Sequence, residues 1–407
     1  VYKDTALPLV GQLLACEPAQ NMIHRSIISR DGVVPELERP ESEQQSEFLA
    51  STDVWFHPIA MSHAPDGAIV ISDFYREIIE DYSAIPRYLQ QQYQLKHGEN
   101  HGRLWRLVHR EMPKAQSPDM SGLASADLVR ELFSERFWRR QTAKRLLIER
   151  QDSSVASTLR GLDFKSGTTP SVIAALHVLD ALDQLETTEL ALAIQHSDPA
   201  VVVQALRLTD GRLDQPELLN RLLTLVNEND ERLLLQLALS LGEAKDRRAV
   251  RSLAMLAMQS IDIRWMADAI LSSLNTGGAD VMSALFQYMD SEQPSEPATK
   301  FFTRLAKMLA DSRDDSAVSR VLVSTFAESD NIGLQSACLD GLQQGFANRR
   351  SVKLNGAAET ALREAVQHEH DKIAAAARHL VVAMKIETPA ERSRRMQATS
   401  TQIADVQ

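Results

Sequence analysis

An apolar or small residue returns at intervals of about 32 through the last two thirds of this chain, and that recurrence restricts the fold more than any other feature. Aligned at one point of every second helical pattern, Ala143, Ala175, Ala205, Leu237, Ala269, Ala306, Ala337 and Ala377 are separated by 32, 30, 32, 32, 37, 31 and 40 residues. A period in the thirties that persists along a domain marks an α-solenoid, because each helix pair buries its apolar stripe only against its neighbours. Helix starts follow the same rhythm. Asp198-Pro199 supplies an N-cap acceptor and a proline at the first helical position, while Asp230-Glu231 and Asp262 place acids where the helix dipole favours them. Apolar spacing then continues, as in Val201, Val202, Ala205, Leu206 and Leu208. Seven or eight helix pairs are expected over 125–387.

Residues 1–112 obey a different grammar. Gly11–Glu17 and Gly67–Asp73 are apolar runs of strand length, each opened by glycine and closed by polar residues, and both are expected as buried strands. Pro65-Asp66-Gly67 is a tight-turn signal that should join antiparallel strands over Pro58–His63 and Ala68–Asp73. His101–Val108 alternates like another strand, with Arg103 and Leu104 on opposite faces. Arg76–Lys96 contains Pro86 and is expected as a long loop with a helical stretch near Tyr88–Tyr93. Three or four strands cannot close a barrel or propeller alone, so further strands are expected before Val1. Residues 113–124 form a linker, and 388–407 a polar tail.

The remaining composition narrows the function. With 407 residues, 44% hydrophobic and 24% charged, the chain can fill two cores of ordinary size. A net charge of -11 argues against nucleic acid as partner, although Arg136, Arg139, Arg140, Lys144 and Arg145 form a local basic patch, read as a solvated helix face. No apolar run reaches membrane-spanning length, and no export signal opens the sequence. Val1 stands where a start would have Met, so the chain reads as a fragment or processed product. Cys16 and Cys338 offer neither a CxxC pair nor a disulfide framework and are expected as small buried hydrophobes. Trp55, Trp105, Trp138 and Trp265 are expected as packing residues. The solenoid histidines show no HExxH spacing, so no metal site is expected.

A resemblance arises in the front segment. Cys16-Glu17-Pro18 with Asn21 and His24-Arg25, then Phe48–Pro58 containing Asp53-Val54-Trp55-Phe56-His57-Pro58, then Ala64–Glu77, then His101–Leu107, resemble the closing blades of a β-propeller group. That group comprises the putative membrane-bound dehydrogenases of planctomycete type, similar to quinoprotein glucose and sorbosone dehydrogenases. The resemblance implies a mixed, two-domain fold: C-terminal blades of a β-propeller over 1–112, followed by an α-solenoid of HEAT-like helix pairs. It further implies an extracytoplasmic, periplasmic setting and oxidation of a sugar or related alcohol with a PQQ cofactor in the complete propeller. Electrons would pass to a cytochrome c domain or redox protein docked on the solenoid. No Cys-x-x-Cys-His occurs here, so this chain lacks the usual haem c attachment. His57 also departs from the family pattern, which has arginine before the proline.

Sugar oxidation needs a base to take a hydroxyl proton as hydride leaves carbon, and cations to hold a reduced quinone. Propellers place ligands at strand ends around the channel mouth. His24 and His57 are the expected bases, with Arg25, Arg76 and Tyr75 as cofactor contacts; Asp73, Glu77, His101 and Arg103 lie nearby. Each has a structural counterpart role as an interblade hydrogen bond or ion pair, and Asp73 in particular is expected to anchor the following loop. The alternative function is a non-catalytic propeller and HEAT scaffold that binds protein or carbohydrate.

Overall fold

The computed structural model of the protein describes residues 7–79, 84–92, 97–112, 118–274, 277–288, 294–346, 352–384 and 386. Val1, Tyr93, part of the expected linker and the expected tail therefore lie outside the described residues. The chain forms two compact units, Val1–Leu208 and Thr209–Gln407.

The first unit opens with two antiparallel sheets. In one, β1 (Leu13–Glu17) pairs with β2 (Met22–Ser29), which also pairs with β3 (Glu36–Glu38) and β4 (Leu49–Ala50). In the other, β5 (Pro58–His63), β6 (Ile69–Asp73) and β7 (Arg103–Leu107) form a meander with β6 in the centre. Its register sets His63 opposite Ile69 and Asp73 opposite Arg103. The expected turn closes β5 to β6: Gly67 N donates to Ala64 O at 2.9 Å, and Gly67 adopts φ +89°, which glycine reaches without a β-carbon clash. Ile23, Ile69 and Ile71 meet Leu7 and Leu9 in one apolar cluster, so the two sheets share a core.

Several strand-level expectations need correction. The described residues hold seven strands rather than three or four. β1 is half-buried, not buried, with Ala15 exposed, because it lies at the edge of its sheet. Trp105 is 46% exposed and not core: β7 is likewise an edge strand. A short helix, α1 (Arg87–Gln92), occupies the predicted helical stretch.

Helices then run in pairs. The first unit contains α2 (Ser125–Leu132), α3 (Phe137–Arg150), α4 (Ala156–Arg160), α5 (Thr169–Ala181), α6 (Thr187–Ala193) and α7 (Pro199–Arg207). The second contains α8 (Pro216–Thr224), α9 (Glu231–Leu241), α10 (Arg247–Ser260), α11 (Met266–Ser273), α12 (Gly278–Tyr288), α13 (Glu296–Asp311), α14 (Asp315–Ala327), α15 (Ile332–Phe346), α16 (Gly356–Val366) and α17 (Asp371–Ala383). Every aligned repeat position from Ala143 to Ala377 falls on an odd-numbered helix from α3 to α17, and all eight are buried. Packing follows that order. In the first unit α3 lies on α5 and α5 on α7; in the second α9, α11, α13, α15 and α17 stack successively, as do α10, α12, α14 and α16. In these stacks a helix meets the next helix of its own layer, the connectivity of a solenoid.

Polar ties recur at the same period. His196 Nε2 donates to Gly167 O at 2.8 Å, Arg248 Nη1 reaches Asn220 Oδ1 at 2.8 Å, and Asp315 Oδ2 accepts from Lys353 N at 2.9 Å. Asp198, Asp230, Asp246, Asp314 and Asn355 cap their helices by accepting from main-chain N–H groups that would otherwise lack partners. Asp262 does not cap: α11 begins four residues later, and Asp262 instead accepts from Ser295 Oγ at 3.2 Å. Trp265 precedes that helix at φ +67° and is 48% exposed under the Arg264 guanidinium, so it is not a core residue. Cys338 is buried as expected, and burial pushes its thiol up to about 12, while Cys16 is half-buried.

Candidate functional site

Asp73 organises the strand module. The residue ends β6 and is 3% exposed; its Oδ1 accepts from His57 N at 2.8 Å and Tyr75 N at 3.0 Å, and its Oδ2 from Trp105 Nε1 at 2.9 Å. A buried carboxylate is tolerated here because three donors replace its water. The loop anchor anticipated from the sequence is therefore present.

His57, 6% exposed, lies beside it. Its Nδ1 is 2.7 Å from Pro18 O, and since a carbonyl only accepts, Nδ1 carries the proton. The 3.4 Å approach of the Asn21 amide to the same nitrogen is then a contact and not a hydrogen bond. Asn21 itself, at φ +58°, donates Nδ2 to Phe56 O at 2.6 Å and so fastens the β1–β2 corner to the approach to β5. His57 Nε2 is left buried with no hydrogen-bond partner among the described residues.

Tyr75 and Arg76 follow Asp73 in the chain but engage different neighbours. Tyr75 sits at φ +44°, with the Arg103 guanidinium 3.3 Å from its ring centroid and Trp55 5.5 Å away. Trp55 in turn meets His97 at 4.6 Å, and His97 Nδ1 is 2.9 Å from Glu77 Oε2. Arg76 lies 4.3 Å over Phe74.

His24 and Arg25 belong to a third group on β2. His24 Nδ1 is 2.9 Å from Glu47 Oε2, and Arg39 Nη2 is 2.8 Å from Glu47 Oε1. Hydrogen bonds from His24 first and Arg39 second hold the Glu47 carboxyl below its ordinary range. Arg25 pairs with Glu43 at 2.5 Å and covers Phe48 at 5.2 Å. The structure thus brings His57 and Tyr75 together through Asp73, ties His24 and Arg25 to adjacent acids, and holds Arg76 against Phe74. As a set they do not fit a quinone: its carboxylates need converging cations, whereas Arg25 already has an acid and Arg76 a phenyl face.

A second candidate lies in the other unit, where the sequence offered no motif. A hollow of about 790 Å³ opens along the turns that join α9 to α10, α11 to α12 and α13 to α14. Leu241, Leu253, Leu274 and Leu309 contribute apolar lining, and Glu243, Lys245, Arg247, Asp280 and Arg320 contribute charge of both signs. A neighbouring hollow of about 520 Å³ shares Glu243, Lys245 and Asp246 and continues to Gly211, Asp214 and Pro216, beside the start of α8. Gly242 permits the groove's close floor, since a β-carbon there would stand 2.6 Å from Ser273 Cβ. The sequence signal that could have found it is positional: the same turn of consecutive repeats.

A family model described as a domain of unknown function (DUF7133) matches residues 1–111. No curated protein matches the chain. Among solved structures, a designed armadillo repeat protein in complex with the peptide (KR)4 is 15% identical and covers 64% of this chain and 100% of its own, with a TM-score of 0.22. An engineered protein from a structural genomics consortium is 16% identical, covers 65% of this chain and 100% of its own, and has a TM-score of 0.21. No helix among the described residues is long and apolar enough to cross a membrane, and no group of three or more metal-ligating side chains occurs among them.

Proposed function

We propose that this chain is a binding scaffold whose helical array takes an extended polypeptide segment along its turn groove, while the strand module serves as a folded attachment. The observation that carries this reading is the continuity of the groove over successive helix pairs. Neighbouring helices pack about 8–10 Å apart, so three such pairs span about 20–30 Å, the length of about six to nine extended residues. A compact metabolite would touch only part of that length. Charge of both signs at the rim and leucines below suit a main chain carrying alternating polar and apolar side chains.

A peptide library displayed on phage and selected against the full chain tests this proposal. Selected peptides are expected to lose at least tenfold in affinity for Ser312→Trp, an exposed groove position where an indole would fill the channel. Equal binding to the wild type and to Ser312→Trp would place the peptides elsewhere and overturn the groove assignment.

A second function, the propeller-type dehydrogenase, is favoured by one observation: His57 Nε2 is buried with no hydrogen-bond partner among the described residues, a position from which an imidazole can serve as a base. In that reading the two packed sheets are closing propeller blades, the setting is extracytoplasmic, and the solenoid docks the electron acceptor. Any PQQ in that reading would have to be held by residues other than Arg25 and Arg76, which already face Glu43 and Phe74. We rank it second because His57 Nδ1 is held by Pro18 O, and His24 and Arg25 are already paired with Glu47 and Glu43.

A further inference from the structure

We infer that the chain's own C-terminal tail, the segment after Ile386, docks in the turn groove, with Arg392, Arg394 and Arg395 over its acidic near half. This names an occupant for the groove and rests on its reading as a polypeptide channel; a partner segment then competes with the tail.

The course of the helices decides where the tail departs. α9, α11 and α13 end at the groove and α10, α12 and α14 begin there, as the lining residues Leu241, Arg247, Ser273, Gly278, Ser312 and Asp314 show. α15 runs parallel to α13, because Gly341 faces Thr303 and Ala306 while Gly345, one turn further on, faces Ala310 and Asp311. α16 then starts beside the start of α14: Lys353 N donates to Asp315 Oδ2 at 2.9 Å and Asn355 N to Ser319 Oγ at 3.2 Å. α17 packs on both α15 and α16 and follows α16 after the short turn Gln367–His370, so it runs back to the edge from which α16 set out. It ends there at Ala383, with Ile386 N donating to Val381 O at 3.2 Å. The tail therefore leaves the array on the edge where the groove opens.

Reach and charge then select the segment. From the end of α17 to the start of α14 is two helix spacings, about 16–20 Å. An extended chain advances about 3.3 Å per residue, so Arg392 reaches about 20 Å from Ile386 and Arg395 about 30 Å, the near half of the groove. Asp280 and Asp314 line that half, are exposed, and have no ion-pair partner among the described residues. Arg320 is the opposing cation there, and Glu391 precedes the arginines. Met396 follows them, a flexible apolar side chain suited to the floor of Leu274 and Leu309. A tethered segment meets its site at an effective concentration of about millimolar, so a weak contact suffices.

The test places the photo-cross-linker p-benzoylphenylalanine at Met396 of the full chain and maps its products in the monomer by mass spectrometry. Cross-links are expected at Leu274, Met308 or Leu309 in the groove lining. Arg392→Glu, Arg394→Glu and Arg395→Glu together are expected to cut them about tenfold, since like charges then face Asp280 and Asp314. Adding Asp280→Arg to that triple variant is expected to restore them in part, which a general loss of folding would not allow. Peptides selected on the groove are expected to bind the triple variant about tenfold more tightly than wild type, the tail no longer competing. Cross-links outside the groove, cross-links unchanged in the triple variant, or groove peptides that gain nothing in it would each overturn the inference. If Ser312→Trp leaves selected peptides unaffected, the partner reading fails by itself, and cross-links that still map to the groove uphold the tail as its occupant.

Discussion

Asp73→Ala is expected to destabilise the first unit by about 3–5 kcal/mol, the combined effect of orphaning donors at about 1–3 kcal/mol each. The His57 and Tyr75 amides lose their acceptor in a buried site, and the half-exposed Trp105 indole loses its own but regains water. For a unit of about 200 residues that loss lowers the melting temperature by about 6–20 °C. Tryptophan fluorescence follows the transition well, since Trp55, Trp105 and Trp138 all lie in this unit. Asp73→Asn keeps one acceptor oxygen for the two amides and is expected to cost about 1–2 kcal/mol. An Asp73→Ala protein melting within 2 °C of wild type, taking the scale above, would show that the carboxylate is not what ties β5, β6 and β7 together.

Gly341→Leu is expected to produce the largest loss in the second unit. α13 and α15 approach so closely that a β-carbon at Gly341 would stand 2.2 Å from Thr303 O and 2.8 Å from Ala306 Cβ; at Gly345 it would stand 2.5 Å from Ala310 Cβ. The two obstructions lie on backbone and on a short side chain, neither of which can swing away. Forcing a leucine between them separates the helices, and we expect about 3 kcal/mol of lost stability, the top of the usual overpacking range. Gly341→Ala gains about 1 kcal/mol of helix propensity yet still overlaps Thr303, so a smaller net loss is expected. Gly356→Ala is the control, because nothing lies within 4 Å of a β-carbon there. Urea unfolding followed by circular dichroism at 222 nm separates the cases: equal midpoints for Gly341→Leu and Gly356→Ala would contradict the close α13–α15 seam.

The solenoid was legible because its physics is repetitive. A buried alanine or leucine at one point of every second helix serves the same packing need eight times, so Ala143 through Ala377 expose the period without any structural knowledge. The strand module is less legible for the opposite reason. Met22–Ser29 interrupts its apolar residues with His24 and Arg25, and β3 and β4 are so short that their pairing partners, not their composition, define them. Trp105 and Trp265 show a further limit: an aromatic in an apolar pattern reads as core, yet one sits on an edge strand and the other at a left-handed helix start. At the site, sequence placed Asp73 in its role because an acid at a strand end has a local reason to be there. His24, Arg25, His57 and Tyr75 carry chemistry-bearing side chains whose partners come from distant positions such as Pro18, Glu43, Glu47 and Arg103. Only tertiary structure assigns those partners. The turn groove has no motif, since it arises from what successive repeats set side by side.

Whether the chain binds or catalyses is tested most directly by supplying the full chain with PQQ, calcium and a panel of sugars and following reduction of an artificial electron acceptor. The scaffold account predicts no sugar-dependent reduction, because His24 and Arg25 are already paired with Glu47 and Glu43 and the cations do not converge on one site. Reduction that depends on sugar and disappears in both His24→Ala and His57→Ala, with their folding intact, would contradict it.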